Sequence, residues 1–205
     1  MKTLIVGLTG QTGAGKSTVA ALLAGKGFFI IDGDVVAREI MAAGSPVLKT
    51  LAAEFGDDII KEDGSLNRKL LASRAFSGRE GTLRLNEITH PVITESVLQK
   101  IKKAEKNGAR VIIIDAAALL ESGIAGLCDL FAVVTAPEEV RLSRIMERDG
   151  LNKADALIRI QAQQGEDYYQ KKADIVLTAY PPSKVKDEVE KLAAFIDNTK
   201  NDIQY

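Results

Sequence analysis

The segment GLTGQTGAGKST, residues 7–18, constrains the fold of this chain more than any other part of its sequence. Residues 10–17, hereafter the phosphate loop, fit the spacing G-x-x-x-x-G-K-[ST], in which successive backbone N–H groups surround a phosphate. Such a loop lies between a buried strand and a helix whose positive end faces the same phosphate. The apolar run TLIVGL precedes it, and Val19, Leu22 and Leu23 follow at helical spacing. The segment therefore predicts a phosphate-binding α/β fold.

The two polar residues that end the motif have distinct predicted tasks. The Lys16 ammonium reaches the β- and γ-phosphates of a bound nucleotide, and the Ser17 hydroxyl is a ligand for Mg²⁺. We therefore expect MgATP as the phosphoryl donor.

Short apolar runs alternate with helical patterns along the chain, which is typical of a parallel sheet covered by helices on both faces. After the first run at residues 3–8, the others lie at residues 28–32, 110–115, 130–136 and 173–178. A final helix is expected at about residues 183–196, before a polar tail. The prediction is a three-layer α/β core around a five-stranded parallel sheet.

Two long intervals interrupt this alternation. The segments SPVLKTLAAEFG, NRKLLASRAF and TLRLNEITHPVITESVLQKIKKAEKNG read as helices separated by Gly and Pro, beside the edge where such sheets bind ligands. The second interval is rich in arginine: Arg141, Arg144, Arg148, Arg159. We predict a single domain, residues 1–205, with a core (1–33, 108–136, 165–198), a helical insertion (34–107) for the phosphate acceptor and a helical lid (137–164).

Three aspartates follow predicted strands. Asp32 and Asp34 end the second strand, where either could meet an acceptor hydroxyl or a metal ion, and they would point the same way if the strand continued through both. The alternative for Asp32 is that it only caps the following helix. Asp115 ends the run VIIID, a pattern typical of a strand whose carboxylate holds Mg²⁺. The sequence leaves open whether Asp32 or Asp115 assists the metal.

Composition excludes several classes of function. Lys and Arg total 27 against 28 Asp and Glu, a net charge of -1, so attraction to nucleic acid is not indicated. No apolar run is long enough for a membrane helix, and the first is too short for a secretory signal. The single cysteine, Cys128, excludes an intrachain disulfide and reads as a small, buried apolar residue. We expect a cytoplasmic protein that contacts neither nucleic acid nor membrane.

The tetrapeptide NKAD, residues 152–155, matches the guanine-reading signature N-K-x-D of GTPases. It follows RIMERDGL rather than a buried strand, and no Asp in the chain has Gly three residues later. Asn152 as the N-cap of a helix, with Asp155 in its first turn, explains the pattern locally. We therefore do not expect a GTPase.

A set of segments resembles one known family in order and over almost the whole chain. They are GLTGQTGAGKSTVA, IIDGDVVAREI, GSPVLKTLAAEFG, DGSLNRKLLASRAF, THPVI, LLESGI, RLSRIMERDG and IRIQAQ, and together they are similar to dephospho-CoA kinases. The resemblance implies an adenylate-kinase-like core that transfers the γ-phosphate of ATP to the ribose 3′-hydroxyl of dephospho-CoA, the last step of coenzyme A synthesis. ATP and dephospho-CoA are then the expected partners.

The resemblance also implies roles for individual residues. Thr9 lies near the reaction centre, Asp34 is the base for the 3′-hydroxyl, and Arg144 neutralises transferring charge. Arg68 and His90, which precedes Pro91, face the acceptor; alternatively, His90 is only the residue before a helix that starts at Pro91. The positions implied to bind ATP are Gly10, Gly13, Ala14, Gly15, Lys16, Ser17, Thr18 and Arg148.

Two positions depart from the family pattern. Ala117 stands where a proline commonly precedes the paired leucines, and Ala179 stands near the place of an asparagine that usually follows the last strand. The first bears on how that loop meets the acceptor and the second on the contacts to adenine. Neither affects the predicted phosphate-binding residues.

Three other functions remain compatible with the residues. One is a nucleoside or nucleotide monophosphate kinase on the same core, which differs in its acceptor. Another is a nucleotide-dependent switch that binds a partner and shows no acceptor-stimulated transfer. The third is a structural protein with a relict loop, in which Lys16→Ala would change nothing measurable.

Overall fold

A computed structural model of the protein describes residues 2–202, and the side chains of residues 2–199. Its centre is a sheet of five strands: β1 (Leu4–Thr9), β2 (Phe29–Asp32), β3 (Val111–Asp115), β4 (Leu130–Thr135) and β5 (Ile175–Thr178). All neighbouring strands are parallel, in the order β2-β3-β1-β4-β5. The predicted α/β class and five-stranded parallel sheet are confirmed.

Helices cover both faces of the sheet because the strands are apolar on both sides. Leu8, Ile113 and Val134 face α1 (Lys16–Gly25) and α9 (Val185–Asp202) within one buried cluster. Ile112 and Ile114 of β3 point to the opposite face, where they pack with α5 (Arg79–Lys106). The result is a three-layer core in which the carboxyl ends of the strands share one edge.

The segments predicted to be the insertion and the lid each have an apolar cluster of their own. Between β2 and β3 lie α2 (Gly33–Ile40), α3 (Pro46–Phe55), α4 (Arg68–Ala75) and α5. Leu51, Ile59 and Leu71 are buried together there. The lid contains α6 (Glu138–Asp149) and α7 (Lys153–Gln161), whose buried contacts are Ile145, Ala156 and Ile160. The short helix α8 (Glu166–Gln170) leads back to β5.

One alternative and one boundary from the sequence are wrong. Pro91 does not start a helix, because it lies inside α5, a helix of 28 residues that follows the helical pattern predicted across it. Buried residues after the proline, such as Val97 and Ile101, hold this helix against the sheet and so offset the lost hydrogen bond. The polar tail does not begin at residue 197 either, since α9 continues to Asp202 without a Gly or Pro to end it.

Two predictions from composition bear on the fold. Cys128 is partly buried against the cluster around α5, and burial raises the pKa of its thiol to about 12, so it behaves as an apolar residue. Among the described residues, no helix combines the length and apolarity that crossing a membrane requires.

The position of Pro91 generates a stability prediction. Pro91 is exposed and has no N–H to donate to the preceding turn, so Pro91→Ala removes a helix breaker without opening a cavity. We expect the free energy of unfolding to rise, by about 3 kcal/mol at most. Urea denaturation measures the change, with Lys102→Ala on the same helix as the control. A variant less stable than the parent would show that the ring contributes packing that outweighs the missing hydrogen bond.

Candidate active site

The phosphate loop is packed so tightly that two of its glycines have no room for a side chain. Gly10 has a φ of 150°, and a Cβ there would lie 2.3 Å from the carbonyl oxygen of Val134 on β4. Gly13 has a φ of 76°, and a Cβ there would lie 2.6 Å from the carbonyl oxygen of Arg141 on α6. Both positions therefore require glycine for conformation and for space. Gly15 of the loop is the N-cap of α1, and Lys16 and Ser17 begin the helix.

Lys16 and Asp115 form an ion pair at the carboxyl edge of the sheet. The Lys16 side chain is 15% exposed and that of Asp115 is 9% exposed. Asp115 ends β3 and pairs in register with Leu8 of β1 and Asp32 of β2, so the strand alignment sets its place beside the loop. Burial raises the pKa of the Asp115 carboxyl; the Lys16 ammonium opposes this rise, and the charges of Asp32 and Asp34 add to it.

The other two carboxylates of this edge differ in their surroundings. Strand β2 ends at Asp32 and α2 begins at Gly33, so the condition under which a continuous strand would align the Asp32 and Asp34 side chains is not met. Asp32 is the N-cap of α2, and its Oδ1 accepts a hydrogen bond of 2.9 Å from the backbone N–H of Val35, as its alternative interpretation predicted. Asp34 is exposed in the first turn of α2. Of the two, Asp34 is the one whose carboxylate is not used as a helix cap.

These groups are suited to a hard cation. Mg²⁺ prefers oxygen ligands and is usually held by one or two carboxylates together with substrate phosphates and water. Asp115 supplies a buried carboxylate, and the exposed Ser17 supplies a hydroxyl at the start of α1. Within residues 2–202 there is no group of three or more His, Cys, Asp or Glu placed to hold a metal by themselves. The donor set thus fits a cation that arrives with a nucleotide.

Thr9 is fully buried at the end of β1. Its hydroxyl donates a hydrogen bond of 3.3 Å to the carbonyl oxygen of Ala117, in the segment that follows β3. This bond ties the first residue before the loop to one of the two positions that depart from the family pattern. The contact uses the main chain of Ala117 and not its side chain.

The lid arginines predicted to act on phosphate have protein partners. Nη1 of Arg144 donates to the carbonyl oxygens of Gly13 (3.1 Å) and Ala14 (3.0 Å), and its Nη2 donates to that of Ala179 (2.9 Å). Arg144 therefore links α6, the loop and the segment after β5. Arg148 is 60% exposed and donates two hydrogen bonds of 2.8 Å to Asp149. Thr18, also predicted to bind ATP, is exposed on α1.

The predicted acceptor residues lie in the insertion. Arg68 is exposed at the first position of α4, and its Nη2 is 3.5 Å from the carbonyl oxygen of Arg38 on α2. His90 is half-buried within α5, where desolvation lowers the pKa of its imidazole and favours the neutral form at pH 7. Both side chains are on the helices that follow Asp34.

Sequence reasoning missed a set of contacts that joins the loop to the end of the lid. The side-chain oxygen of Gln163 accepts a hydrogen bond of 2.7 Å from the backbone N–H of Thr12. The side-chain amide of Gln11 donates one of 2.9 Å to the carbonyl oxygen of Gln164. Gln163 is the last residue of IRIQAQ, one of the segments similar to the family, but no local pattern in the sequence indicates that it contacts Thr12.

The tetrapeptide NKAD has the local role that was predicted for it. Asn152 is the N-cap of α7, and its Oδ1 accepts a hydrogen bond of 3.0 Å from the backbone N–H of Asp155. The Asn152 amide also donates to the Asp155 carboxylate at 2.8 Å. These two side chains pair with each other, as in a helix start.

An open cleft of about 540 Å³ lies beside the first turns of α6. It is lined by the exposed Tyr180 and by Arg144, whose side chain contacts the loop. Its other walls are Pro137, Glu139, Val140 and Ser143. Planar groups of this kind are typical surfaces for stacking a base.

Comparison with known proteins agrees with this geometry. A family model described as "Dephospho-CoA kinase" matches residues 4–181. The chain is 46% identical over 174 residues to a dephospho-CoA kinase of Corynebacterium glutamicum, covering 85% of this chain and 89% of that protein. It is 37% identical over 199 residues to one of Bacillus licheniformis, covering 97% and 98%. A solved dephospho-CoA kinase from Campylobacter jejuni has a TM-score of 0.70 and 25% identity, covering 96% and 98%.

The chain belongs to the dephospho-CoA kinase family. The resemblance drawn from the sequence segments is therefore confirmed, and with it the assignment to the ATP-dependent kinases.

The close contact of Gly13 with α6 generates a prediction for this member of the dephospho-CoA kinase family. Gly13→Ala places a methyl group against the Arg141 backbone and forces an L-residue to a positive φ, which by itself costs roughly 1–2 kcal/mol. We expect a lower melting temperature and a loss of affinity for ATP, measured by thermal unfolding and calorimetric titration. Gly25→Ala is the matched control, because no atom lies within 4 Å of its added Cβ. Equal behaviour of the two variants would contradict the tight packing of the loop.

Proposed function

We propose that this chain phosphorylates the ribose 3′-hydroxyl of dephospho-CoA with ATP, which is the final step of coenzyme A synthesis. Family membership supports the reaction. The observation that carries the proposal in the structure is the placement of Lys16 and Asp115 beside the phosphate loop, with the exposed Asp34 at the entrance to the helical insertion. A phosphate donor and a hydroxyl acceptor would meet at this edge of the sheet.

ATP binds, in this proposal, with its triphosphate in the phosphate loop. The predicted contacts are the backbone N–H groups from Gly13 to Thr18 and the start of α1, whose positive end favours anions. Lys16 then exchanges the Asp115 carboxylate for phosphate oxygens. The adenine ring would occupy the cleft between Tyr180 and Arg144, where a planar base can stack.

Mg²⁺ would be held by Ser17 and Asp115. When bound, the ion neutralises charge on the phosphates. The carboxylate of Asp115 has to be ionised for this role. Burial raises its pKa, the Lys16 ammonium opposes the rise before a nucleotide binds, and the bound cation would oppose it afterwards. Asp32 is committed to capping α2, which makes Asp115 the better of the two metal candidates.

The acceptor would bind against the insertion, with its 3′-hydroxyl near Asp34. Phosphoryl transfer passes through a loose transition state, so a carboxylate that accepts the hydroxyl proton late is a sufficient base. Asp34 is solvent-exposed and has no capping bond to give up. Arg68 would offer a cation to the phosphates of dephospho-CoA, and neutral His90 a ring nitrogen for a hydrogen bond. Thr9 would position the end of β1 through its bond to Ala117.

The predicted division of the chain is part of this proposal. The separate apolar clusters of the insertion and the lid support an acceptor-binding part at 34–107 and a lid at 137–164, mounted on the core formed by the remaining segments. A cytoplasmic location, where ATP is available, is the setting we propose for the reaction.

The substrate assignment is tested by assaying the purified chain with MgATP and a panel of acceptors. We expect ADP formation that depends on dephospho-CoA, with the product phosphorylated at the 3′-position by mass spectrometry and NMR. Turnover only with nucleosides or nucleotide monophosphates would assign a different kinase. Nucleotide binding without any acceptor-stimulated transfer would indicate a switch protein.

The role of Asp34 is tested by Asp34→Asn. We expect turnover to fall by roughly 10²-fold or more while the affinity for ATP is retained, as for removal of a general base. Asp32→Asn is the matched comparison, because asparagine is an equally good N-cap and should preserve α2. A rate within a few-fold of the parent for Asp34→Asn, or a larger loss for Asp32→Asn, would move the base away from Asp34.

A further inference from the structure

Among the four lid arginines, Arg141 differs from the others in its partners. Arg144 donates to three backbone carbonyls, and both Arg148 and Arg159 contact the Asp149 carboxylate. Arg141 is only 4% exposed, yet its Nε and Nη1 have no hydrogen-bond partner. The carboxylate beside it belongs to the exposed Glu138, whose Oε2 is 4.0 Å from Nη2. A buried guanidinium in this state lacks the acceptor that its charge requires.

The backbone contacts of Arg141 place it directly against the phosphate loop. A Cβ on Gly13 would lie 2.9 Å from the Arg141 Cα, so the two main chains touch. The base of the Arg141 side chain is therefore adjacent to the loop.

The surroundings of the guanidinium also belong to the carboxyl edge of the sheet. The charge of Arg141 acts on Tyr169, a buried residue of α8 whose pKa is raised to about 12 by burial and by Glu121, with Arg141 opposing the rise. Tyr169 packs against Val133, and Val133 is in register with Thr9 at the start of the loop. The Arg141 guanidinium is therefore close to a residue that packs beside the strand position in register with Thr9.

We propose that Arg141 binds a phosphoryl group of the nucleotide in the phosphate loop. This inference rests on the proposed function, because it takes the nucleotide as the ligand of the loop. Nε and one Nη of a guanidinium form a fork that matches two oxygens of one phosphate, and such charge-assisted bonds are the strong ones. Arg141 transfers no proton; it supplies positive charge where the donor phosphates accumulate negative charge.

Arg141 is thereby assigned the charge-neutralising task that the sequence had suggested for its neighbours. Arg144 uses its donors to fix the loop and the segment after β5, and Arg148 shares a surface carboxylate with Arg159. The helical spacing of Arg141 and Arg144 puts both on the side of α6 that faces the loop. Arg144 therefore holds the loop through its hydrogen bonds, and Arg141 is available to bind the ligand of the loop.

The test compares Arg141→Met and Arg141→Gln with Arg159→Met, an exposed lid arginine, as the matched control. Calorimetric titration uses the magnesium complex of the non-hydrolysable analogue AMP-PNP, and separately dephospho-CoA. For both Arg141 variants we expect affinity for AMP-PNP to fall roughly 10- to 100-fold, and affinity for dephospho-CoA to stay within about two-fold. The ligand-free melting temperature should be unchanged or higher, because an unpaired buried charge has been removed.

Three results would overturn the proposal. They are AMP-PNP affinity within about two-fold of the parent in both variants, a loss confined to dephospho-CoA, or a lower melting temperature of the ligand-free variants. The last would show that the guanidinium stabilises the fold by itself. AMP-PNP binding requires no phosphoryl transfer, so this experiment is independent of the turnover assay that tests the proposed reaction.

Discussion

The arrangement of the site depends on direct backbone contact between the phosphate loop and the segment from β4 to α6. Gly10 touches the main chain of Val134, and Gly13 touches that of Arg141. The contact is possible because β4 is the neighbour of β1 in the sheet, so the lid begins beside the loop. Beside these two glycines, the side chains of Arg144 on α6 and Gln163 after α7 also contact loop atoms.

The features that the sequence predicted correctly are those coded locally. Each strand is a short apolar run, the loop is a fixed spacing of glycines, and Asn152 caps a helix three residues from Asp155. At Pro91 the local signals conflict, because the helical pattern continues across a residue that can also mark the start of a helix. There the packing of Val97 and Ile101 against the sheet outweighs a local helix-breaking signal. At this position the tertiary packing of the helix, and not the local preference of proline, determines that the helix continues.

For the candidate site, the sequence identified residue types better than it identified their partners. It singled out Lys16 and Asp115, but their pairing follows from the register of β1 with β3 over more than ninety intervening residues. It gave roles to Arg144 and Arg148 and none to Arg141, whereas in the structure Arg141 is the buried one of the three and Arg148 is exposed. To separate the arginines in this way, one has to know which main-chain carbonyl groups lie close to each guanidinium. The spacing of residues along the sequence does not give this information.

The contacts of Ala117 and Ala179 have a consequence for substitutions at these two positions. Thr9 and Arg144 bond to the carbonyl oxygens of these residues. Every amino acid has the same main-chain oxygen, so the side chain can change while the hydrogen bond persists. When the residue that is usual in the family is replaced at such a position, the replacement is therefore weak evidence for a loss of activity.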